Sequence, residues 1–125
     1  MTVQTNPAPD AFLAACPSRA LLRVVSGKWA PLVLVALDSG PLRFGELKRT
    51  LQGVTQKMLT QTLRQLQRAG LVQRTAHDEL PLRVDYRLTP LGRTAVLPIA
   101  QLKAWSEANF AQSQEAQEAF DRTYG

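Results

Sequence analysis

Between Thr55 and Ala69 the chain carries Lys57, Gln61, Arg64 and Arg68 at i, i+4, i+7 and i+11, with Gln56 and Thr60 beside them. On a helix these residues share one face, and none of them is acidic. Amide, hydroxyl, ammonium and guanidinium groups are the side chains that hydrogen-bond base edges and phosphates in a major groove. An ordinary solvated face would interleave Glu with Lys, because i,i+4 pairs stabilise a lone helix. The missing acids favour nucleic acid over plain solvation. Gln56, Lys57, Thr60 and Gln61, at the N-terminal end with Thr55, are placed to reach bases, since recognition helices enter the groove by that end. Arg64 suits a base or a phosphate, and Arg68 extends the same face. Arg43, Lys48 and Arg49, from the preceding segment, are expected to hold phosphates. Arg83, farther on, is the expected backbone or minor-groove contact of the segment from His77 to Arg83.

Little else in the chain could do chemistry. Catalysis needs a nucleophile–base pair or a metal cluster. Here the one cysteine, Cys16, and the one histidine, His77, lie far apart in the pattern, and no glycine-rich phosphate loop occurs. The sequence therefore predicts no enzyme, no metal site and no cofactor. A single cysteine also excludes an intrachain disulfide. Cys16 stands just before a helix start, where the positive end of the helix dipole and nearby Arg19 would lower its pKa. A reactive thiol and a small packed residue are both consistent with that position. His77 reads as a surface residue, Tyr86 as packed, and Trp29 and Trp105 as core or interface aromatics rather than a ligand cage.

The charge distribution agrees with the polar face. The 125 residues carry a formal net charge of +5. Residues 43–93 hold ten Lys/Arg against four acids, whereas residues 94–125 hold two against four. Concentrating positive charge in one segment is what phosphate binding with counterion release requires. No apolar run approaches the roughly 20 residues of a membrane span, and the start has no signal-peptide pattern. The expectation is a cytosolic, cytoplasmic protein without a membrane partner.

The elements that must position these groups follow from periodicity. Residues 1–15 show little pattern and read as a flexible arm. Pro17 or Ser18 then opens a helix carrying Leu21, Val24 and Val25. A second helix follows with Trp29, Leu32, Val33, Ala36 and Leu37 at threes and fours. Phe44, Leu47 and Leu51 describe a third, short helix that Gly53 closes. Thr55 can cap the fourth, whose apolar stripe is Met58, Leu59, Leu63 and Leu66, with Gly70 just past its end. Two helices joined by a short glycine turn make a helix-turn-helix. Residues 71–75 and 83–88 then alternate with period two, as a hairpin does. Thr89-Pro90 starts a last helix with Leu91, Ala95, Ile99, Leu102, Trp105 and Phe110 on one side, and Pro98 should kink it. Residues 111–125, rich in Gln, Glu and Ala, read as a tail.

The fold class is mainly α with a small β-hairpin (α+β): a winged helix-turn-helix with flanking N- and C-terminal helices. The domain reading is an arm at 1–15, one DNA-binding and dimerisation domain at 16–110, and a tail at 111–125. A terminal helix of roughly 20 residues outruns what a small winged helix can cover, and monomers rarely leave so large an apolar patch in water. A two-fold partner would cover it and set two reading helices about 34–36 Å apart. The expected homodimer interface is Leu21, Leu22, Val25, Ile99, Leu102, Trp105 and Phe110.

Taken in order, Cys16-Pro17, Gly27-Lys28-Trp29, Gly40-Pro41-Leu42-Arg43-Phe44-Gly45-Glu46-Leu47, Val54-Thr55-Gln56-Lys57-Met58-Leu59 and Leu63-Arg64-Gln65-Leu66 resemble HxlR-type winged-helix regulators. The resemblance continues through Gly70-Leu71-Val72, the run from Arg83 to Thr89, Gly92 and Trp105, covering about residues 16–106. It implies a bacterial repressor or activator that dimerises through its first and last helices and binds pseudo-palindromic double-stranded DNA. It also implies that Cys16 stands where some members sense oxidants or electrophiles. A small-molecule or oxidant effector is thus a candidate partner. The alternative is a winged helix used as a protein-interaction module without DNA readout.

Overall fold

A computed structural model describes residues 8–125. Its helices are α1 (Pro17–Val25), α2 (Ala30–Ala36, continued by a 3-10 turn Leu37–Ser39), α3 (Phe44–Thr50), α4 (Gln56–Arg68) and α5 (Pro90–Tyr124). The strands β1 (Val72–His77) and β2 (Arg83–Leu88) pair antiparallel, with Val72 opposite Leu88 and His77 opposite Arg83. Leu42 adds a single bridge to Tyr86, which fastens the stretch before α3 to the hairpin.

α2 lies at the centre, packed against α1, α3, α4 and α5. Val33, Leu34, Leu37, Leu47, Leu59, Leu63, Leu66 and Val72 are fully buried around it. The short α3 needs help at its N-terminus, where backbone N–H groups have no partner in the helix. Glu46 supplies it by accepting a hydrogen bond from the Arg43 N–H at 3.0 Å. α4 starts where Thr55 accepts from the Met58 N–H at 3.1 Å. It stops at Gly70, whose φ of +80° is a left-handed conformation that favours glycine. From there the chain is tied to the start of α5. Thr89 accepts from the Gly92 N–H at 3.0 Å and donates its own hydroxyl proton to the Gly70 carbonyl. Gly92 has no room for a side chain, because a Cβ there would lie 2.0 Å from the Leu71 carbonyl oxygen.

Several expectations need correction. α5 is one helix of 35 residues, running unbroken through Pro98 and across 111–124, so the tail is helical. Ala, Gln and Glu are strong helix formers, and nothing in that stretch breaks a helix. An i,i+4 ion pair, Lys103–Glu107, and a tilted aromatic pair, Phe120–Tyr124 with centroids 4.8 Å apart, reinforce it. Of the arm, residues 1–7 lie outside the described residues. Residues 8–15 form hydrogen-bonded turns held by Arg19, which donates to the Ala11 and Phe12 carbonyls. Met58 is exposed rather than part of the stripe of α4. Thr62 is buried instead, its hydroxyl satisfied by the Met58 carbonyl at 2.8 Å. No single helix among the described residues is long and apolar enough to cross a membrane.

Candidate nucleic-acid interface

α4 turns Leu59, Thr62, Leu63 and Leu66 inward. At 100° per residue that sends Lys57, Gln61, Arg64 and Arg68 to the opposite side. All four are exposed, as are Thr55, Gln56 and Thr60. Arg43, Lys48 and Arg49 are exposed on the neighbouring α3 segment. Glu46 is the one acid between residues 43 and 77, and its carboxylate is engaged with the backbone of α3. The result is a hydrogen-bonding surface with positive charge and almost no competing negative charge. Among the described residues, none of these basic side chains from Arg43 to Arg68 enters an ion pair.

The hairpin has two chemically distinct faces. On one, Val72 and Leu88 enter the core, and Arg74 opposite Tyr86 continues that face towards α4. On the other, Asp85 is buried to 8 % exposure, with its carboxylate accepting from His77 Nε2 at 2.8 Å and from Arg87 at 3.3 Å. Burial pushes the Asp85 carboxyl up. The hydrogen bonds and positive charges of His77 and Arg87 outweigh that and hold it below the usual carboxylate range. His77 is therefore a half-buried cross-strand partner, not the surface residue that sequence suggested. Arg83 is half-buried, with its guanidinium 3.5 Å from Glu79. It is the one expected DNA contact that sits in an ion pair.

Sequence reasoning counted Arg74 only as charge. The signal was available in the alternation of β1, because Arg74 shares a face with the apolar Val72 and so follows the core side of the hairpin to α4.

Cys16 is half-buried and occupies the N-cap position of α1, ahead of Pro17. Its thiol lies 3.0 Å from the Ser18 hydroxyl and accepts from the Asp10 N–H at 3.3 Å. The Ser18 hydroxyl, then the Asp10 and Ser18 backbone groups, lower its pKa against the opposing effect of burial. Arg19, the expected cause, has turned its guanidinium to the Ala11 and Phe12 carbonyls. The thiol borders a recess of about 530 Å³ with Pro9, Leu13 and Pro17.

The expected interface residues are divided. Leu21, Leu22, Leu102, Trp105 and Phe110 are 45 to 63 % exposed, and Val25 is half-buried. Ile99 is only 8 % exposed and belongs to the chain's own core, because α5 there lies on α2. Leu91, Leu97, Phe120 and Tyr124 add exposed apolar surface that sequence had not assigned. Trp29 packs against the core, whereas Trp105 does not.

A model of the HxlR-like helix-turn-helix family matches residues 24–114. The chain is 43% identical over 98 residues to YtfH of Escherichia coli (strain K12), described as an uncharacterized HTH-type transcriptional regulator, covering 78% of each chain. The solved structure of YtfH from Salmonella typhimurium is similar with a TM-score of 0.81 at 39% identity, over 88% of this chain and 98% of that one. The redox regulator HypR, in its oxidized form, is similar with a TM-score of 0.70 at 38% identity, over 75% and 97%.

Proposed function

The chain belongs to the HxlR-like helix-turn-helix family, and on that premise we propose that it is a transcription regulator that reads duplex DNA sequence-specifically as a homodimer. The observation that carries this reading is the exposed, acid-free face of α4. Gln56, Lys57, Thr60 and Gln61 meet base edges in the major groove. Arg43, Lys48 and Arg49 hold phosphates on one side of the helix, and Arg68 extends the contact. Arg83 reaches the backbone from the hairpin once Glu79 gives way. Pairing of two copies through α1 and α5 covers the exposed Leu21, Leu22, Leu102, Trp105 and Phe110. It also presents two α4 helices to the half-sites of a pseudo-palindromic operator. The protein then works in the cytoplasm, where its DNA is.

Cys16 gives the regulator a route to oxidant or electrophile response. Its lowered pKa raises the thiolate fraction, which is the reactive form. The recess beside it admits a small reagent. The likeness to a protein titled a redox regulator supports this part of the reading.

Fluorescence anisotropy with DNA from the protein's own upstream region, against scrambled duplex at two salt concentrations, tests the whole. The expected result is selective binding that weakens steeply with salt. Equal, weak binding to both duplexes would point to a protein partner instead. Diamide should then release DNA from the parent and leave Cys16→Ser bound. Release from both would dispose of the sensing role.

A further inference from the structure

The face of the hairpin that follows the core does not end in solvent. Arg74 on β1 and Tyr86 opposite it on β2 meet the flank of α4, where Thr60, Arg64 and Gln67 stand one turn apart. Together with Leu63 as floor they line a recess of about 440 Å³. Two guanidinium groups from different elements thus border one polar hollow. Neither is in an ion pair among the described residues, although Arg83 and Arg87 on the other face of the same hairpin each have a carboxylate. The Tyr86 hydroxyl and the Gln67 amide also make no hydrogen bond among the described residues. The Thr60 hydroxyl, by contrast, already donates to the Gln56 carbonyl at 2.8 Å.

A hollow rimmed by two arginine forks, with a phenol and an amide free to donate, has donors in excess and no anion of its own. A phosphate group supplies what is missing, since its oxygens accept bidentate hydrogen bonds from guanidinium. We propose that this recess seats one phosphate of the bound DNA backbone, held jointly by Arg74 from the hairpin and Arg64 from α4. The inference rests on the DNA-binding reading above and deepens it. It assigns Arg64 to the backbone rather than to a base, and it adds Arg74, which no motif singled out. Because the seat is built half from α4 and half from β1, the phosphate it holds sets the roll of α4 in the groove. Base selection by Gln56, Lys57, Thr60 and Gln61 is then made from that fixed roll.

The test is the salt dependence of DNA binding. Parent, Arg74→Ala, Arg74→Lys and Arg93→Ala are compared on operator and scrambled duplex, with circular dichroism confirming the fold. Arg93 is an exposed arginine on α5 outside the recess, and its removal costs the same formal charge. One phosphate contact fewer lowers the slope of log K against log salt by about 0.9. Arg74→Ala should show that drop, with affinity for both duplexes falling by the same factor, roughly tenfold for a lost charge-assisted bond. Arg74→Lys and Arg93→Ala should keep the parent slope. An unchanged slope in Arg74→Ala overturns the seat, as does loss of selectivity without a slope change, which would make Arg74 a base reader. An equal drop in Arg93→Ala overturns it in favour of diffuse charge.

Inorganic phosphate, titrated against chloride at matched ionic strength, separates the two sources of the anion. If it raises the Tm of the parent but not of Arg74→Ala while both bind DNA with one slope, the occupant is a free anion and the proposal fails. Absence of parental DNA binding would instead remove the regulator reading, and the seat with it.

Discussion

α4 and α5 are the two long helices of the molecule, and they treat their outer surfaces in opposite ways. α4 buries Leu59, Leu63 and Leu66 within its own chain and leaves outside only amides, hydroxyls and bases, with Met58 at the flank. α5 buries Gly92, Val96 and Ile99 near its start. It then runs on for some 25 residues, about 37 Å at ~1.5 Å per residue, with Leu102, Trp105, Phe110, Phe120 and Tyr124 exposed. Both helices are amphipathic or partly so, but only one has spent its apolar surface. A helix whose uncovered side is polar and basic suits water and phosphate. A helix whose uncovered side is aromatic and aliphatic suits another apolar surface. The difference teaches that the exposed remainder of a helix, rather than its pattern, indicates what it is for.

The comparison can be broken most severely where the two helices meet. Gly92→Ala places a methyl 2.0 Å from the Leu71 carbonyl oxygen, beneath the Thr89–Gly70 tie. The backbone there has to move, and the expected loss is about 3 kcal/mol, read as a fall in Tm by calorimetry. A variant as stable as the parent would show that α4 and α5 are not rigidly joined.

Next in size is a pair of substitutions that should separate the helices by function. Trp105→Glu puts a charge into the exposed stripe of α5 and should weaken self-association roughly 30-fold or more, the scale of a hot-spot residue. Sedimentation equilibrium reads this directly, and operator affinity should fall with it. Lys57→Ala should leave sedimentation unchanged and cost operator affinity about tenfold, within the range for a lost base contact. Should Lys57→Ala alter association, or Trp105→Glu leave it untouched, the division between the helices is drawn in the wrong place.

The smallest expected effect concerns the hairpin beside α4. The Asp85 carboxyl is held below its ordinary range in the folded state. Its contribution is therefore complete above the unfolded carboxylate pKa of about 3.9 and is lost as pH falls through the folded value. Asp85→Asn should flatten the acid limb of the Tm-against-pH curve below about pH 4. An unchanged acid limb would mean that the His77–Asp85–Arg87 cluster does not tie the two strands together.

Much of the candidate site was legible in the sequence because it is local. Thr55 as a cap, Gly70 as a stop and the arc from Lys57 to Arg68 each depend on residues within four positions along the chain. The helix and turn preferences of those residues settle them. The hairpin was legible for a similar reason, since alternation and the polar turn at residues 78–82 lie side by side. The length of α5 was legible too and was misread. A stretch of Ala, Gln and Glu lacks an apolar stripe but not helix propensity.

Other features were decided by the tertiary structure. His77 finds Asp85 only because the strand register sets β1 against β2. Thr62 displaces Met58 from the buried arc of α4, and Ile99 is consumed by the chain's own core, because neighbouring elements cover particular sides of those helices. Arg19 leaves Cys16 for two carbonyls of the turn before α1, and Arg74 joins Arg64 across β1 and α4. In each case the partner is remote along the helix, along the strand or along the chain. Periodicity and capping are written between near neighbours, whereas the choice of which side is covered and which charge is left without a partner is made only when distant elements pack.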